Sequence, residues 1–209
     1  MPTETKYDSR ADTLAHIARV HALLDECQMN LNTRGSVHDA SKLEEPEKSV
    51  FDECTAKLKL MAYGSDAYFA ALAELKPALD HHYAKNSHHP EYWPAVENTP
   101  MSSMLRLTAQ AQEEQAEAAK IGSPDDSGAV LLLFQTAKRI RASADEMEAS
   151  VNNMSLFDVL EMLMDWKAAT ERMKDGGDIR RSLEINTERF KLSPQLVNIL
   201  RNTINEMGW

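Results

Sequence analysis

At 209 residues the chain is long enough for one domain with a proper core, or for one domain carrying a helical insertion. Its net charge of −10 argues against a nucleic-acid polymer as partner, since a phosphate backbone calls for a basic surface. Two cysteines, Cys27 and Cys54, point to a reducing cytoplasm rather than a disulfide framework, and no stretch approaches the roughly 18 apolar residues of a membrane span.

Seven glycines, eleven methionines and abundant Ala, Leu, Glu and Lys favour helix, and alternating β-branched runs are hard to find. The expected fold class is therefore all-α. A first helix is predicted after Asp12 or Thr13, with Leu14, Ile17, Val20, Leu23 and Leu24 as its core stripe and His16 beside it. The stretch from Asn30 to Ser36 is rich in turn formers and reads as a connection into a second helix. Pro46 breaks and restarts the chain, and a helix follows from Phe51 to Ala62 with Phe51, Leu58, Leu60 and Met61 as core. Tyr63 to Asp66 is a stop. The next helix covers 67–85, kinked at Pro77, with Tyr68, Phe69, Leu72, Leu75 and Leu79 inward.

From Pro94 to Asn152 the composition changes. Two helical stretches, Met101–Ile121 and Ala129–Val151, flank a turn at Ser123–Gly128, which reads as a helical hairpin inserted at 97–152 into a single domain of 1–209. Such an arm suits a lid, a homo-oligomer contact or a partly solvated bystander, and the sequence does not separate these. Ser155 caps a nearly all-apolar helix running past Trp166, and the tail holds a turn at Asp175–Asp178, a helix with Arg180, Arg181 and Arg189, and a last helix opened by Pro194.

Three clusters carry chemistry. Adjacent His38 and Asp39 offer an imidazole and a carboxylate to one divalent ion, with Arg34 and Lys42 close by in sequence for charge neutralisation or phosphate recognition. His81, His82, His88 and His89 put four imidazoles in nine residues. Neighbouring residues on a helix point about 100° apart, so one of each pair should face an ion and the other bond outward; His82 and His88 are the expected inward members. Finally, Asp158, Glu161 and Asp165 form an acidic stripe on a helix that belongs in the core, where a carboxylate needs a cation or a partner.

His16, His38-Asp39 and the late Asp165 resemble the H…HD…D signature of the HD-domain superfamily, all-helical metal-dependent phosphohydrolases. More narrowly, the stretches from His81 to Glu91 and from Glu161 to Ala169 resemble an uncharacterised HD-like family of phages and bacteria, over about 10–100 and 153–205; the 97–152 insertion should be much shorter in relatives.

The resemblance implies an HD-like bundle and a hydrolase of a nucleotide or similar small phosphate ester, working in the cytoplasm, or the host cytoplasm if phage-encoded. It implies one or two divalent ions (Mn, Mg, Co, Zn or Fe) held by His16, His38, Asp39 and Asp165. His82 and His88 would complete a second metal site or act as acid and base. Glu161, Asp158, His81 and His89 would support the ligands, and Arg34, Lys42, Tyr83, Asn86 and Lys167 would contact substrate. Two alternatives stay open: an HD-fold di-iron oxygenase, for which iron would speak, and a non-catalytic binding or assembly protein stapled by a closed metal site.

Overall fold

The first helix is the largest departure from expectation. In the structure, a computed structural model describing residues 7–58, 66–96, 99–122, 127–172 and 177–209, α1 runs without interruption from Arg10 to Val37. The weak helix formers between Asn30 and Ser36 do not break it because their side chains bond to the helix itself. Thr33 Oγ1 donates to the Met29 carbonyl at 3.0 Å, Ser36 Oγ to the Thr33 carbonyl at 2.7 Å, and Arg34 Nε to Asn30 Oδ1 at 3.1 Å. The stripe expected in the core is instead solvated: Leu14, Ile17, Val20, Leu23 and Leu24 are 40–63% exposed.

The chain divides into two compact units, Met1–Ala40 and Ser41–Trp209. The first is α1 with the His38-Asp39 turn. The second is all-helical as well, and no strand occurs among the described residues. After a 3-10 turn at Ala40–Leu43 come α2 (Glu47–Leu58) and α3 (Asp66–Tyr83), which pack on each other, with Pro77 inside α3. A 3-10 turn at Pro90–Tyr92 leads to α4 (Pro100–Gly122) and α5 (Ser127–Glu148), an antiparallel hairpin. Ser102, Ala109 and Ala116 on α4 and Val130, Ala137 and Ala144 on α5 are buried between its arms. Small residues seven apart let the two backbones approach closely.

The main core lies in the C-terminal bundle of α6 (Leu156–Glu171), α7 (Ile179–Phe190) and α8 (Pro194–Glu206). Met162 and Leu163 of α6, Leu183 of α7, and Leu200 and Ile204 of α8 are each 0–3% exposed in it, and Trp166 stacks on Phe190 with ring centroids 6.2 Å apart. Each helix is started by its own cap: Ser155 with a capping box closed by Asp158, Asp178 accepting from Arg180 N, and Ser193 before Pro194. Of the expected elements, Leu60 and Met61, the stop after Tyr63 and most of the turns at Ser123–Gly128 and Asp175–Asp178 lie outside the described residues, as do the side chains of Leu58, Tyr68, Phe69 and Leu72. Among the described residues no helix is long and apolar enough to cross a membrane.

Candidate metal centre

Within the second unit the histidines meet between α2, the end of α3 and α6. Glu47, first residue of α2 and 0% exposed, is the anchor. Its two carboxylate oxygens accept from His81 Nδ1 at 2.7 Å, His82 Nδ1 at 2.9 Å and Ser41 Oγ at 2.9 Å. Burial by itself would raise the Glu47 pKa, but the hydrogen bonds from His81, Ser41 and His82 outweigh it and hold the carboxyl below its ordinary value. An ionised, fully buried carboxylate fixes the tautomer opposite it: we assign the His82 proton to Nδ1, which turns Nε2 into an electron-pair donor. Asn86 Nδ2 donates to the His82 carbonyl at 2.8 Å and to Ser41 Oγ at 2.9 Å, and also lies 2.9 Å from His82 Nδ1.

His88 repeats the device from the other side. It is 2% exposed, and its Nδ1 lies 3.2 Å from Glu161 Oε1 on α6, again leaving Nε2 as the inward atom. His89 completes the group, with its Nε2 3.0 Å from His82 Nε2 and its ring 4.2 Å from that of His88, centroid to centroid. One ring nitrogen from each of His82, His88 and His89 lies within 4.8 Å of the other two. Two electron pairs cannot face each other at 3.0 Å without a proton or a cation to share. Two nitrogens bound to one tetrahedral ion at 2.0–2.1 Å stand about 3.3 Å apart, close to the His82–His89 spacing, so these three residues could hold a metal ion.

The histidine cluster thus differs from expectation in its detail. His89 turns in rather than outward, its ring edge-on to that of His82. His81 bonds to Glu47, as a supporting residue would. Glu161 likewise orients a histidine, while Asp165 is half-buried one turn further along the same face of α6. The burial of Asp158 needs no cation. It accepts from Ser155 N at 3.0 Å and from Ser87 Oγ at 2.6 Å, so it caps α6 and ties the histidine loop to it.

Of the expected substrate contacts, Asn86 is engaged as above and Lys167 pairs with Glu171 at 2.8 Å and lies over the Trp209 ring. Lys42 lies over the Phe51 ring, which in turn meets His82 edge-on. Tyr83 packs on His89 at 4.8 Å between centroids and lines a cavity of about 590 Å³ with Asp80, Ala84, Glu91 and Tyr92. Beside that cavity Arg189 donates to Glu91 Oε1 at 2.7 Å. On the same helix Arg180 donates to Asn205 Oδ1 at 3.0 Å.

In the first unit, His38 caps the end of α1 and its Nε2 lies 3.7 Å from Asp39 Oδ2. Asp39 adopts φ 57°, the left-handed region that non-glycine residues enter seldom and often at functional positions. His16 does not join this pair. It is exposed near the start of the same helix, about 33 Å from His38 along the axis at 1.5 Å per residue, so His16 and His38 cannot hold one ion.

Fold and site together define an all-helical protein with a buried, carboxylate-anchored histidine cluster. The family model that matches the chain, at residues 5–115 and 138–206, is described as a family of unknown function, DUF5662, and the chain belongs to that family. The match leaves out 116–137, the outer ends of α4 and α5, a narrower segment than the expected 97–152 insertion. No curated protein and no solved structure matches the chain.

Proposed function

We propose that this protein is a metal-dependent phosphohydrolase of a small phosphate ester, a nucleotide or a similar molecule, with His82, His88 and His89 as ligands of a divalent ion. The observation that carries the proposal is the pair of carboxylate–imidazole contacts, buried Glu47 to His82 and partly buried Glu161 to His88, each presenting an Nε2 electron pair toward the same place. Carboxylates behind histidines fix ring orientation and raise ligand basicity. A structural histidine cluster in a core would need neither the convergence nor a second acid.

Held by His82, His88 and His89, a divalent ion would supply positive charge toward a phosphoryl oxygen. The chain's own residues do the rest. Glu47 and Glu161 hold protons on the Nδ1 atoms and keep the Nε2 atoms free of them. The cavity walled by Tyr83 and Tyr92 adjoins His89 and has the size to take the ester's organic part. Lys42 supplies a cation on the Phe51 side of the cluster, suited to phosphoryl charge. His38 and Asp39 belong to the first unit; their expected role as ligands rests on the sequence resemblance, and Asp39→Ala tests it.

The test is phosphate release from a panel of phosphomonoesters and nucleotides, by protein purified without a metal-affinity tag and supplied in turn with Mn, Mg, Co, Zn and Fe(II). Metal-dependent release that falls at least 100-fold in His88→Ala supports the proposal. No release with any metal, combined with oxygen consumption by the Fe(II) form, would overturn it in favour of oxidation chemistry.

A further inference from the structure

The α4–α5 hairpin has two unlike sides. At 100° per residue, and with Ala109 and Ala137 facing each other, the side chains sort cleanly about the plane of the two helices. One side holds a charged lattice. Arg106 donates to Asp145 at 2.9 Å and pairs with Glu148, and Arg141 binds both carboxylate oxygens of Glu113 at 2.9 and 2.6 Å. The other side runs through Met101, Leu105 and Gln112 on α4 and Leu133, Ile140 and Met147 on α5, and the one helix position on it that carries a charge is Arg139, exposed at its outer margin. Much of it is solvated: Met101 is 55% exposed, Met104 64%, Leu132 62% and Met147 43%.

We propose that this apolar face is the contact between two copies of this chain, which pair hairpin to hairpin as a four-helix bundle. Charge selects the occupant. Two copies at −10 each repel, and an isologous contact must be complementary to itself, so a twofold interface is favoured where the middle of the surface has no charge to oppose its own image and the single cation, Arg139, sits at the rim. A partner recognising an acidic protein would meet the other faces instead. Size agrees: the face is about 27 Å long and roughly 18–20 Å wide, on the order of 500 Å² in projection, which suits an interface of about 800 Å² of accessible surface per partner.

A second observation lies at the middle of the face. Gln112 Oε1 is buried there with no hydrogen-bond partner among the described residues. In helix bundles a single polar residue at such a position fixes register and oligomer state. The outer part of the face, including Leu132 and Leu133, falls in the 116–137 segment that the family model leaves out, so the contact is enlarged in this chain.

The experiment is sedimentation velocity with multi-angle light scattering on the full chain from 1 to 100 µM. Wild type is expected to be dimeric. Thr108→Glu, at an exposed position that cannot disturb the hairpin's packing, and Ile140→Glu should each raise the dimer Kd at least tenfold. Lys138→Glu, on the charged side, should leave it unchanged. A wild-type monomer at 100 µM, or a dimer that survives Thr108→Glu undiminished, overturns the proposal.

Discussion

Removing the Glu47 carboxylate should be among the most damaging single changes outside the C-terminal core. Glu47→Ala strips three donors of their acceptor: His81 Nδ1, His82 Nδ1 and Ser41 Oγ. Two of the groups involved are sealed from water, Glu47 at 0% and His82 at 1% exposed, so solvent cannot step in. Hydrogen bonds to a charged group are worth about 1.5–3 kcal/mol each; His81 and Ser41 can turn to solvent in part and His82 cannot, so a loss of about 3–5 kcal/mol is expected for the three together. For a chain of this size each kcal/mol lowers Tm by about 2–4 °C, so a fall of roughly 6–20 °C is expected. Glu47→Gln keeps one acceptor and should lose about half as much. Urea unfolding followed by circular dichroism gives both values on one scale. An alanine variant within 1 kcal/mol of wild type would refute the idea that Glu47 organises the cluster.

Three further outcomes follow from other elements. Ala144→Leu, at a 0% exposed position where α4 and α5 touch, should overpack the hairpin and cost about 1–3 kcal/mol in urea unfolding. Ser155→Ala should cost about 1 kcal/mol by removing the cap that Asp158 completes, measured the same way. The Glu113 carboxyl is held below its ordinary pKa chiefly by the hydrogen bond from Arg141. A lowered folded pKa means that this pair stabilises the fold above about pH 4.5, the unfolded value, and that the contribution is lost as pH falls through the folded one. Carboxyl NMR titration of Arg141→Ala should return Glu113 upward toward that value.

The sequence made some of this legible and hid the rest for physical reasons. The helical class, the two arms of the hairpin, the cap at Ser155 and the helix start at Pro194 follow from local chemistry, and local chemistry determines them. The continuity of α1 was hidden because propensity counts Asn, Thr and Ser as breakers, whereas Thr33 and Ser36 spend their hydroxyls on the helix's own carbonyls. Glu47 gave no signal: a glutamate directly after a proline is an ordinary helix start, and only the fold brings His81 and His82 onto it. Asp158 did give one, since Ser155 three residues earlier spells a capping box, which accounts for a buried acid without any cation. The histidines stood out by frequency, but which of them turn inward depended on the path of the loop through Pro90.

Metal content by mass spectrometry bears most directly on the histidine cluster, on protein purified without a metal-affinity tag and dialysed against Mn, Fe and Zn, comparing wild type with His82→Ala, His88→Ala and Asp39→Ala. Near-stoichiometric metal in wild type that is lost in His82→Ala and His88→Ala, both still folded by circular dichroism, is the predicted result. No metal in wild type, or equal metal in the folded histidine variants, would contradict it.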